Sequence, residues 1–144
     1  TPNVVRVRDK EVAAQLDRPA GYAEFACRGQ QIRTDLNAFL AKAKAEGKRV
    51  AGYGAAAKGN TLFNYCEIKA DGVVFVADRS PAKQSTLLPG SRIPVNAPEA
   101  IADEKPDYVL IVPWNLRAEI VKQLEYIRSW GGRFVTAIPE IRID

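Results

Sequence analysis

The sequence predicts an α/β domain in three layers, a mostly parallel sheet with helices on both faces, behind one long leading helix. Three observations carry the prediction. After Gly47, short apolar runs alternate with helical patterns along the 144-residue chain. The runs are compact and rich in Val, Ile and Tyr, as in strands buried on both faces. The first of them enters a turn built almost wholly of Gly and Ala, and a helical segment follows.

The elements are justified in order. Residues 4–7 place an Arg among valines and read as a short strand, and residues 17–21 are a turn-rich linker. These make residues 1–22 an N-terminal strand and linker, with residues 23–144 as the main domain. From residue 23 to 46, Phe25, Ile32, Leu36, Phe39, Leu40 and Ala43 recur at helical spacing, and Gly47 suits the position just past the helix end. Strands are expected at 49–53, 73–77, 108–112 and 134–138. Ile93-Pro94-Val95 is a weaker piece whose proline argues for an edge. Ser80-Pro81 reads as a helix cap and first residue, and Asn96 with Glu99 as a capping box leading to Ala102. The clearest helix covers 116–130, with Leu116, Ile120, Leu124 and Ile127 on one face, Asn115 as cap and Gly131-Gly132 as terminator. Counting 49–53 as strand 1, right-handed crossovers give the order 3-2-1-4-5. That order reverses between strands 1 and 4, and ligands of such sheets bind in the crevice beyond the carboxyl ends there.

Composition narrows the function. The net charge of +4 is spread along the chain with no basic run interleaved with aromatics, which argues against nucleic acid. No apolar stretch approaches the roughly 20 residues that cross a bilayer, and no leader-like segment opens the chain. A reducing cytoplasm is the expected setting. Histidine is absent, which removes the commonest general base and metal ligand. Cys27 and Cys66 are too few and too far apart for a disulfide framework or zinc knuckle, and each reads as a small buried apolar residue. The start at Thr1-Pro2 fits a piece of something longer.

The chemistry concentrates at Val50-Ala51-Gly52-Tyr53-Gly54-Ala55-Ala56-Ala57-Lys58-Gly59-Asn60-Thr61. Gly52, Gly54 and Ala57 fit the G-x-G-x-x-G/A spacing of dinucleotide sites. Small residues admit a ligand close to the backbone, and the open amides at a helix start suit a phosphate. Gly54, Ala55, Ala56, Lys58, Gly59, Asn60 and Thr61 form the candidate cradle, weighed against a plain tight turn packed on the sheet. Asn60 stands where a Walker loop needs lysine, so ATP hydrolysis is not expected. Nor is this the usual methyl-donor loop, because Val50 replaces its acidic residue and the length looks short for a seven-stranded sheet. Asp78 ends the second strand, where an acidic residue either bonds a ribose or pairs with Arg79 or Lys83. Trp114 and Asn115 face the turn from the opposite lip, to stack on and bond a ligand or simply to pack and cap. Tyr53 and Tyr65 line the pocket or pack on the sheet. Glu140 is a further carboxylate beside the crevice. No nucleophile–base pair or paired carboxylates emerge, so binding is better supported than catalysis.

Several segments together (VAGYGAAAKGNTLFNYC, VADRSPAKQ, Leu88-Pro89-Gly90, Ile93-Pro94, KPDYVLIVPWN and WGGRFVTAIPE) resemble the C-terminal domain of SAM-dependent sugar C-methyltransferases. The resemblance implies a three-part enzyme: a zinc-bearing N-terminal region, a SAM-binding domain, and a Rossmann-like domain holding a dTDP-sugar-like nucleotide-sugar. The first two parts, with the catalytic histidine and tyrosine, would lie outside this chain, which would bind neither SAM nor zinc and be inactive alone. It further implies that Ala55, Ala56, Lys58, Asn60 and Thr61 contact the diphosphate. Asp78, Arg79 and Lys83 would lie towards the nucleoside, and Trp114 and Asn115 along the sugar. Thymidine lacks the 2′-hydroxyl that an acidic residue at Asp78 would bond. A second reading is a stand-alone NAD(P)- or CoA-binding regulatory module, and a third is a structural docking domain with an empty cleft.

Overall fold

A computed structural model describes residues 1–144 and divides them into two compact units, Thr1–Gln31 and Ile32–Asp144. The first unit holds helix α1 (Pro2–Ala13), a 3-10 turn (Pro19–Tyr22) and the start of helix α2 (Ala23–Ala45). The expected strand at residues 4–7 is thus helical. Pro2 sits in the first helical turn, which suits its fixed φ and missing N–H, and no strand pairs with this segment.

In the second unit, Leu36, Phe39, Leu40 and Ala43 of α2 are buried, as their spacing requires. Gly47 ends the helix at φ +69, with Lys48 N donating to Ala43 O at 2.8 Å in a Schellman closure. Phe25, expected on the buried stripe, is 77% exposed.

The sheet has seven strands in the order β3-β4-β2-β1-β5-β6-β7. These are β1 (Val50–Tyr53), β2 (Val76–Ala77), β3 (Thr86–Leu87), β4 (Pro94–Asn96), β5 (Tyr108–Ile111), β6 (Arg133–Thr136) and β7 (Arg142–Ile143). The five inner strands are parallel and keep the expected sequence of neighbours. Antiparallel β3 and β7 flank them, so the expected five-stranded sheet was two strands short. Length is therefore no bar to seven strands here.

Side chains alternate across the sheet and build two cores. Val50, Val76, Val95, Leu110 and Val135 pack with α2 and helix α3 (Ala57–Tyr65). Ala51, Tyr53, Val109, Ile111 and Phe134 pack with helices α4 (Ala100–Glu104) and α5 (Arg117–Gln123). Three helix expectations need correction. Residues 81–85 are turns and not a helix, because Ser80 gives its amide to Asp78 and the chain soon joins β3. Asn96 belongs to β4, so α4 starts later, after Glu99 and without a side-chain cap. The segment 116–130 is α5 followed by a 3-10 helix, Glu125–Trp130. The tighter turn eclipses residues three apart and sends Leu124 and Ile127 together into the core, while Leu116 stays 46% exposed. Trp130 packs at the rim with Nε1 donating to Pro106 O at 3.1 Å. Cys66 is buried as expected, but Cys27 is exposed.

Candidate functional site

The reversal of strand order falls between β1 and β5, and Gly54 and Pro113 leave their carboxyl ends side by side. Gly54 has φ +94, and a Cβ there would stand 2.6 Å from Pro113 Cδ, so the crossing needs a residue with no side chain. Gly59 in α3 lies against Val112, whose Cγ1 would collide with any added Cβ. Two glycines thus draw the helix start onto the end of β5.

The turn itself is held by the chain's own groups. Ala55 N donates to Asp78 Oδ2 at 2.6 Å, and Ala56 N to Gly54 O at 2.9 Å. Ala55 O accepts from Lys83 Nζ at 2.9 Å, and the same ammonium lies 3.4 Å from Asp78 Oδ2. Asp78 Oδ1 accepts from Ser80 N at 2.8 Å. Asp78, 9% exposed, is thereby a buried carboxylate met by two amides and an ammonium, the satisfaction that burial demands. Ala55 and Ala56 therefore do not offer open amides. The open donors lie one step along, at Ala57, Lys58 and Gly59 in the first turn of α3, which no side chain caps.

Lys58 reaches across the crevice. Its Nζ donates to Asn115 Oδ1 and stands 4.7 Å from the centre of the Trp114 ring. Asn115 is consequently not a helix cap: Leu116 directly precedes α5, with no side-chain cap. Trp114 is half-buried and not a core residue. The structure brings together Lys58, Trp114 and Asn115 on one side and Ala55, Asp78 and Lys83 on the other. Arg79 is exposed, and the Thr61 hydroxyl turns back to Ala57 O at 3.2 Å.

Beside the helix start lies a cleft of ≈ 300 Å³, whose walls include Ala57, Asn60, Lys83, Leu87 and Pro89. Asn60 Oδ1 is buried there without a hydrogen-bond partner, an arrangement that calls for a donor. Thr86 and Leu87 had no assigned role in the sequence, because β3 is two residues long and carries no alternation, and Pro89 entered only as part of the Leu88-Pro89-Gly90 segment. Asn64 of α3 holds this wall by donating to Pro89 O at 2.9 Å. On the other flank, Trp114, Arg117, Thr136, Glu140 and Arg142 border a cleft of ≈ 280 Å³. Of these residues, only Trp114 and Glu140 were readable beforehand as lying beside the crevice.

Tyr53 turns to the opposite face and packs in the α5 core, its hydroxyl accepting from Gln123 Nε2 at 2.8 Å. Burial raises its pKa above the ordinary 10.0. Tyr65 is exposed, with the Arg33 guanidinium 5.9 Å from its ring centre. No cluster of three or more Cys, Asp or Glu side chains is placed to hold a metal ion. No helix is long and apolar enough to cross a membrane.

Comparison with known proteins adds two findings. A family model described as C-methyltransferase C-terminal domain matches residues 1–139. The chain is also 37% identical over 142 residues to C-methyltransferase NovU of Streptomyces niveus. That alignment covers 99% of the chain and 34% of NovU.

Proposed function

The chain belongs to the family of C-methyltransferase C-terminal domains, and on that premise we propose that it binds the nucleotide-sugar substrate of a larger SAM-dependent enzyme. The diphosphate sits on the Ala57, Lys58 and Gly59 amides, with the Lys58 ammonium folding back onto it from Trp114 and Asn115. Gly54, Ala55 and Ala56 form the floor beneath, shaped by Asp78 and Lys83, and Arg79 adds positive charge at the mouth. The nucleoside enters the cleft by Asn60 and Lys83, and the sugar extends past Trp114 and Asn115, in a Rossmann-like use of the crevice.

The observation that carries this reading is the uncapped first turn of α3. Three unpaired amides at the positive end of a helix, beside an ammonium not paired to any carboxylate, select an anion. The role of the domain is positioning: the reacting carbon must lie within contact distance of the methyl donor, and fixed orientation lowers the barrier. In the whole enzyme, a base outside this chain would take a proton next to a keto group, and the enolate would accept the methyl of SAM as its S–CH3 bond breaks and S-adenosylhomocysteine leaves. SAM and zinc belong to other regions of that enzyme. The dinucleotide alternative gains nothing from Asp78, whose oxygens already serve the turn.

Calorimetric titration with dTDP, NAD and SAM tests the proposal. Binding of dTDP alone is the expected outcome. Tight binding of SAM, or a response to NAD without one to dTDP, would overturn it.

A further inference from the structure

Unit Thr1–Gln31 carries an apolar surface that nothing in its own structure covers. Helix α1 buries no residue, and Val4, Val5, Val7 and Val12 are each at least 50% exposed. At 3.6 residues per turn these valines fall on one half of the helix, with Arg8 and Glu11 among them, while Arg6, Asp9 and Lys10 take the other half. Tyr22 is 49% exposed and Phe25 77%. A 12-residue helix is marginal in water, valine is a poor helix former, and helices of this length are stabilised by packing an apolar face. An amphipathic helix whose apolar face is left open calls for something to cover it.

We propose that the valine face of α1 docks on the polypeptide that precedes this domain in the full-length enzyme. Two findings select that occupant. The matching family is by description a C-terminal domain, and the alignment leaves most of NovU outside the matched 34%. A segment joined to the start of α1 is presented at high effective concentration, whereas a second copy must give up translational and rotational freedom to bind. Arg8 and Glu11, set within the valine face, offer charges to fix the register. The inference rests on family membership and not on nucleotide-sugar binding, so either can fail without the other.

Hydrogen–deuterium exchange on the full-length polypeptide and on residues 1–144 alone tests it, with sedimentation velocity alongside. In the full-length chain the amides of residues 2–13 are expected to exchange at least tenfold more slowly than in residues 1–144. Val5→Asp with Val12→Asp should return them to the faster rate while protection in residues 32–144 is unchanged. Equal exchange of residues 2–13 in the two wild-type chains would overturn the proposal. So would slow exchange in residues 1–144 that accompanies dimerisation, since a second copy would then be the occupant.

Discussion

Replacing Gly54 by alanine probes the crossing of β1 and β5 directly. The residue has φ +94, and the left-handed region costs an L-residue about 1–2 kcal/mol. The new Cβ would stand 2.6 Å from Cδ and 2.8 Å from Cγ of Pro113. Pro113 is buried and its ring is rigid, so overpacking adds about 1–3 kcal/mol. Reduced freedom of the unfolded chain returns about 0.4–1 kcal/mol. The net loss should be about 3 kcal/mol, a displacement of roughly 1–3 M in the urea midpoint for an ordinary slope. Urea unfolding of wild type, Gly54→Ala, Pro113→Ala and the double variant measures it. Removing the ring should recover the overpacking share, so the pair should couple by about 1–3 kcal/mol, while the backbone share persists. A Gly54→Ala protein within about 0.5 kcal/mol of wild type would refute the reasoning, as would a double variant with no coupling.

Further outcomes follow from the same structure. Lys58→Ala should weaken dTDP binding by about 1–3 kcal/mol in calorimetry while leaving the melting temperature unchanged; equal affinity would remove Lys58 from the site. Burial raises the Tyr53 pKa above 10.0 and the Cys66 pKa above 9.0. Each acid is thus more firmly protonated in the folded chain, so its contribution is complete at neutral pH and declines as pH climbs through those ordinary values towards the raised ones. Denaturation midpoints from pH 7 upward should fall, and Tyr53→Phe should flatten the part of the fall above about pH 10. A thiol reagent should label Cys27 rapidly in the native chain and Cys66 only on unfolding, because one thiol is exposed and the other buried; two rapid equivalents would contradict the packing around Cys66.

What could be read from the residues follows from how local each signal is. Val50, Val76, Tyr108 and Phe134 lie in apolar runs dense enough to declare buried strands, and the small-residue turn marked the crossing point. Strands β3 and β7 are two-residue pieces with exposed side chains, defined only by the neighbour they pair with. The valines of α1 suggested extended chain through their β-branching, yet a strand requires a partner and this segment has none. In the site, residue types were legible and their allegiances were not. Asn115 had the credentials of a cap, but its carbonyl is met by Lys58, 57 positions earlier in the chain. Asp78 was recognisable as a strand-end carboxylate, while its bond to the Ala55 amide depends on two loops meeting in space. Long-range partners of this sort leave no periodic trace.

Ala55, gripped at its N–H by Asp78 and at its C=O by Lys83, has a kinetic consequence. Were the proposed diphosphate to bind there, a loop already locked in shape would have no slack to take up, so little ordering entropy would oppose capture. Encounter then depends on diffusion and on the pull of nearby cations, and its rate should drop as added salt screens that pull. Stopped-flow traces would accordingly show a single concentration-dependent phase, with no slow closing step behind it.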